Sequence, residues 1–175
     1  MAYVFHTQHL GLQPIAATVL PVAGAIALGR GAPGPFLGDI VRAEDPTYGV
    51  GEFIYLKGVA STVVGSLVTY DQYLNTTALA PATGGNGPVA VAMSANVANQ
   101  YGWYQIAGAA VVKAPNAMVP GADVFMLAAT PGSVDDAQVN GEQVVNAKVS
   151  TTTGTPSAGL GVIQINRPFL QGQIV

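Results

Sequence analysis

From residue 51 onward the apolar and polar positions fall into short runs at strand-like spacing, cut by turn residues, with no sustained helical period. Glu52-Phe53-Ile54-Tyr55-Leu56-Lys57 has charged ends and an apolar middle, which predicts a strand covered on both faces. Further strands are predicted at Ser66–Tyr70, Val89–Met93, Tyr101–Ile106, Val111–Lys113, Asp123–Leu127, Gln143–Val149 and Gly161–Ile165. Gly108 is expected to break the run between Tyr101–Ile106 and Val111–Lys113. Ser66–Tyr70 is expected to pair with Glu52–Lys57 across the Gly58–Gly65 connection. Pro120-Gly121 is a type II turn signal, with proline setting φ and glycine taking the positive φ that follows. Ala82–Pro88 and Ser150–Ala158 read as loops, and Asn75-Thr76-Thr77 as a strand-end turn. Short helices are conceivable only at Ser94–Gln100 and Ser133–Ala137, where Ser94 would cap the first and Asp135 and Asp136 would favour the first turn of the second. The expected fold is all-β, a small β-barrel or β-sandwich of short strands.

Residues 1–50 have a different texture. They hold five of the twelve prolines and show neither period. The expected organisation is an extended N-terminal arm and linker over 1–50, followed by a β-barrel or sandwich domain over 51–175. Tyr3, Phe5, Leu10, Leu12, Ile15, Val19 and Leu20 lie in a proline-interrupted segment poorly suited to building its own core, so they are candidate partner-binding residues. The apolar stretch from Leu10 to Gly29 does not read as a signal peptide or membrane span, because Pro14 and Pro21 would break a helix and no Lys or Arg precedes it.

Composition sharpens this picture. Only 9% of the 175 residues are charged, against about a quarter in ordinary soluble domains. Half of the residues are apolar, so much of the weakly polar surface is expected to be covered by other protein. The net charge is −3, and the six basic residues are scattered along the chain, which argues against nucleic-acid binding. No cysteine is present, so thiolate chemistry and thiolate metal sites are excluded.

Candidate chemistry is sparse. Gly29-Arg30-Gly31-Ala32-Pro33-Gly34 matches a dinucleotide fingerprint by letter, but Pro33 and Pro35 deny it the helix on which the phosphates would sit. His6 and His9 are too few ligands for zinc, and without a G-x-S-x-G elbow they do not point to a hydrolase. Glu44-Asp45 and Asp135-Asp136 lack the alternating oxygen ligands of a calcium loop and read as turn and cap residues. Neither an enzyme nor a cofactor is expected. Tyr101-Gly102-Trp103-Tyr104 is more informative. Strand periodicity places Tyr101 and Trp103 on one face and Tyr104 with Ile106 on the other, so one face should be core and the other an interface or a carbohydrate platform. Trp103 and Tyr104 therefore join the candidate partner-binding residues.

The segments Val41–Gly58, Gly87–Ala92 and Tyr101–Gly108 resemble head structural proteins of tailed bacteriophages, and in particular capsid decoration, or cement, proteins. The resemblance covers about residues 38–170 and is one of texture and segment order. It implies a small β-barrel-like virion protein, made in the host cytoplasm, that bridges neighbouring major capsid protein subunits on the outer capsid surface. Such proteins are often trimeric, so a homotrimer is expected over a dimer, with no nucleic acid and no membrane as partner. The alternative from another class is a head-fibre or tail-associated module that binds host carbohydrate on the Trp103/Tyr104 strand.

Overall fold

The computed structural model describes residues 3–6, 14–19, 35–96 and 98–172. Among them are twelve strands and no helix, so the fold is all-β as expected. The strands are β1 (Val4–Phe5), β2 (Thr18–Val19), β3 (Ile40–Asp45), β4 (Gly49–Lys57), β5 (Leu67–Asp71) and β6 (Thr76–Leu79). They continue with β7 (Asn86–Ala92), β8 (Tyr101–Lys113), β9 (Asp123–Met126), β10 (Val134–Asp135), β11 (Gln143–Val149) and β12 (Leu160–Gln171).

The hydrogen-bonded order is β1-β3-β4-β6-β5-β7-β8-β12-β11-β9-β10, with β2 on β8. A further pairing of β4 with β8, from Glu52↔Ala107 to Lys57↔Tyr101, closes β4, β6, β5, β7 and β8 into a ring. Side chains from four of these strands share one cluster: Ile54, Leu56, Val68, Ala90, Ala92, Tyr104 and Ile106.

β8 is one strand of 13 residues rather than two. Its first half pairs with β4 and its second half, from Ala107 to Lys113, with β12. Gly108 marks the crossover, with φ at +100°, and a Cβ there would lie 2.5 Å from the Val50 carbonyl oxygen. Only glycine tolerates both conditions, so the residue expected to break the strand instead bends it from one pairing to the next. Beyond the bend Ala110 and Val112 join Leu67, Val91, Val124, Val144 and Ile163 in the largest apolar cluster.

Several local expectations are corrected by the pairing. β5 does not pair with β4, because β6 lies between them. The Asp71 carboxylate accepts the amides of Tyr73 and Leu74 at 2.7 and 2.8 Å, and this tight turn returns the chain as β6 where a turn alone was expected. Asn86-Gly87-Pro88 opens β7 instead of remaining loop, paired with Gln171, Leu170 and Phe169 of β12. Ser133–Ala137 contributes β10, an antiparallel partner of β9, not a helix. The described residues of Ser94–Gln100 form bends, turns and an Asn96 bridge to Thr62. The type II turn is present: Gly121 has φ +87° and the Ala122 amide donates to the Val119 carbonyl at 3.1 Å.

The domain boundary expected at residue 50 also moves, since it falls inside β4. β3 pairs with β4 along its whole length, from Ile40↔Ile54 to Asp45↔Gly49. The turn between them is held by the Asp45 carboxylate, which accepts the amides of Thr47 and Tyr48. Residues 40–50 therefore belong to the β body rather than to an arm.

Candidate interaction surfaces

β4 and β8 are covered on both faces, and that decides where the aromatic residues point. Ile54, Leu56, Tyr104 and Ile106 fill the cluster shared by the ring strands. Phe53, Tyr55, Tyr101 and Trp103 lie on the opposite face, with Ala43, Met93 and Ile15. Tyr55 and Trp103 are register partners whose ring centroids are 5.1 Å apart, and Tyr55 also stacks on Tyr101 at 6.4 Å. The sequence assigned these residues to their two faces correctly, but both faces are core. Trp103 and Tyr104 have no exposed surface, so neither can present a platform to a glycan or a docking face to a partner.

The N-terminal residues supply the lid of the second face. Tyr3 meets Phe53 edge-on at 4.8 Å, Phe5 lies 6.0 Å from Trp103, and Ile15 is buried. β1 pairs with β3 and β2 with β8, where Thr18 stands opposite Gly102 and Val19 opposite Tyr101. Of the expected partner-binding residues, Tyr3, Phe5 and Ile15 thus pack on this chain's own aromatic face, and the Val19 backbone belongs to its own sheet. Leu10, Leu12 and Leu20 lie outside the described residues. The physical reason is plain: strands β4 and β8 expose an aromatic face that water would solvate poorly, and the N-terminal apolar residues are the nearest cover.

Burial leaves its mark on the phenols. The Tyr55 hydroxyl has no hydrogen-bond partner, and desolvation, with the neighbouring Tyr101, pushes its pKa up to about 12. Burial likewise raises Tyr3 to about 12. Tyr104 is raised for the same first reason, although the Asn96 side-chain amide donates to its hydroxyl.

Among the described residues the surface carries, besides the Lys148–Asp123 pair, a charged node at Glu52. Glu52 accepts Arg42 at 2.7 and 2.9 Å on one oxygen and Arg167 at 3.0 Å on the other. Hydrogen bonding from Arg42, opposed by burial and aided by Arg167, holds the Glu52 carboxyl below its ordinary range. Of the acidic doublets, Asp45 takes the expected turn role, whereas Asp135 is buried in β10 and caps no helix; it accepts Asn116 and the Asp136 amide, and Asp136 accepts the Val119 amide. His6 approaches Glu44 at 3.4 Å on the surface, while His9 lies outside the described residues. No group of three or more metal-ligating side chains occurs among the described residues.

What the sequence reading missed is the exposed apolar surface. Tyr73 is 91% exposed and Leu74 60%, both on the hydrogen-bonded Asp71 turn. Gly38 abuts Asn75 at the end of that turn, and Phe36 and Ile40, both about half exposed, flank Gly38 in sequence. The available signal was an apolar pair enclosed by turn formers in Asp71-Gln72-Tyr73-Leu74-Asn75. No protein-family model matches this chain, and no curated protein matches it in sequence.

Proposed function

We propose that this chain is a virion structural protein that decorates and stabilises the outer surface of a bacteriophage capsid by bridging neighbouring major capsid subunits. It acts as a homo-oligomer, with a trimer favoured over a dimer, and is synthesised in the host cytoplasm. The observation that carries this reading is the Tyr73-Leu74 pair, two large and strongly exposed side chains on a turn locked by Asp71. Tyrosine gives much contact area for only two side-chain torsions, and exposed apolar groups of this kind serve recognition. The resemblance of Val41–Gly58 and Tyr101–Gly108 to decoration proteins and the 9% charged content support the same reading.

The mechanism follows from the surface chemistry. A seam between capsid subunits under internal pressure is held best by many weak contacts acting together, because linked contacts gain effective concentration. Apolar contacts between nearly uncharged surfaces are screened little by salt. A compact β body with two covered aromatic faces supplies a stiff spacer between such contacts. The test is to compare particles lacking the chain with particles to which purified chain is restored. Restored particles should retain their DNA to a higher temperature; equal loss of DNA from both kinds of particle would count against the reading.

A further inference from the structure

β5 and β7 start as a regular pair and then part. The ladder runs through Leu67↔Val91, Val68↔Ala90 and Thr69↔Val89, and ends there. The next step would set Tyr70 against Pro88, which has no amide hydrogen to donate. Gly87, at φ +93°, helps turn the start of β7 towards β12, where Asn86, Gly87 and Pro88 find their partners. On the other side β5 swings into the Asp71 turn. The splay leaves a groove of about 590 Å³, whose walls include Tyr70, Gln72, Tyr73, Thr76, Asn86 and Pro88.

We propose that this groove binds a neutral oligosaccharide, seated on Tyr70 and Tyr73. Tyr70 packs on one side against the ring-strand cluster and so presents a fixed surface to the groove. Tyr73 is held by the turn that fixes its amide on Asp71, and its ring is free to meet a ligand. Sugars present C–H faces that match aromatic rings and hydroxyl edges that match amides and hydroxyls, which Gln72, Asn86 and Thr76 supply. The described lining holds no lysine or arginine and one carboxylate, Asp71, while Arg167, which acts on the Tyr70 hydroxyl, is paired with Glu52, so an anionic group would find little countercharge there. Pro88 and the turned Gly87 also spoil the regular strand edge that an added peptide strand would need. The groove shares Tyr73 with the capsid-decoration reading, so a Tyr73 ring covered by a capsid subunit would not be open to sugar, and it places sugar recognition away from the buried Trp103 and Tyr104.

The experiment is calorimetric titration of the full chain with a panel of neutral gluco-, galacto-, manno- and N-acetylhexosamine oligomers. Saturable binding of at least one oligomer is expected, in the range of about 0.1–10 mM for a shallow groove. Tyr73→Ala and Asn86→Ala should each weaken it by about tenfold, with unchanged circular dichroism, while Tyr73→Phe retains most of the affinity. Absence of binding across the panel overturns the proposal, as does binding that neither alanine variant weakens. Loss of capsid attachment in Tyr73→Ala, with no sugar bound by the parent chain, would instead make the groove a protein contact.

Discussion

Tyr55 and Trp103 stand opposite each other in the β4–β8 ladder, with ring centroids 5.1 Å apart and planes tilted by 59°. Their contact ties β4 to the long strand β8 that links the clusters. Trp103→Ala removes a fully buried indole from the centre of this face and is expected to cost about 3–5 kcal/mol. Denaturant unfolding of the variant against the parent chain checks this value. A loss of only a few tenths would mean that Trp103 is not a core residue.

The unpartnered Tyr55 hydroxyl makes an alkaline prediction. Its folded pKa of about 12 lies above the ordinary 10.0, so its contribution to stability is complete below pH 10 and disappears as pH rises towards 12. Tyr55→Phe removes a buried hydroxyl that makes no hydrogen bond, and is expected to be neutral or stabilising by up to about 1 kcal/mol. The variant should also unfold less steeply with alkali. Ultraviolet titration of the phenols alongside thermal melts at rising pH measures both effects.

Glu52 gives the acidic counterpart. Its folded pKa is lowered, chiefly by the hydrogen bonds from Arg42, so the stabilisation it gives is present above the ordinary carboxyl range and lost as pH falls through the lowered value. Both arginines are largely exposed, which limits the expected cost of Glu52→Gln at neutral pH to about 1 kcal/mol or less. The difference between parent and variant should shrink on acidification and with added salt. Melting curves across that range decide it.

The N-terminal segment gives a prediction opposite to that of a detachable arm. Deleting residues 1–37 removes Tyr3, Phe5 and Ile15 and uncovers Phe53, Tyr55, Tyr101 and Trp103. The truncated chain should lose roughly 4 kcal/mol and bind a hydrophobic dye. If its stability matches that of the full chain, the N-terminal contacts are dispensable and the segment is available to a neighbour.

These outcomes rest on features of unequal visibility in the sequence. The faces of Tyr101, Trp103, Tyr104 and Ile106 followed from two-residue periodicity, and the apolar middle of Glu52–Lys57 marked a strand buried on both sides. Pairing between them did not follow, because Tyr55 and Trp103 are brought together by closure of the ring and no local pattern encodes such a register. β6 was hidden because Thr76–Leu79 is short and follows turn formers directly. The apolar N-terminal residues were recognised as seeking cover, but composition is the same whether the cover is a neighbour or the chain's own Phe53 and Trp103. Tyr73 and Leu74 fall between the strand predicted at Ser66–Tyr70 and the Asn75-Thr76-Thr77 turn, and only the Asp71 turn shows that they stand outside the sheet.

The central claim is that this chain bridges capsid subunits from outside. If a phage encodes this chain, a cryo-electron-microscopy map of that phage's capsids, with and without the purified chain, tests the proposal most directly. The account predicts added density of this all-β body on the outer surface, over seams between major capsid subunits and with the Tyr73-Leu74 turn at a protein contact. Identical maps with and without the chain, or density confined to the tail, would contradict it.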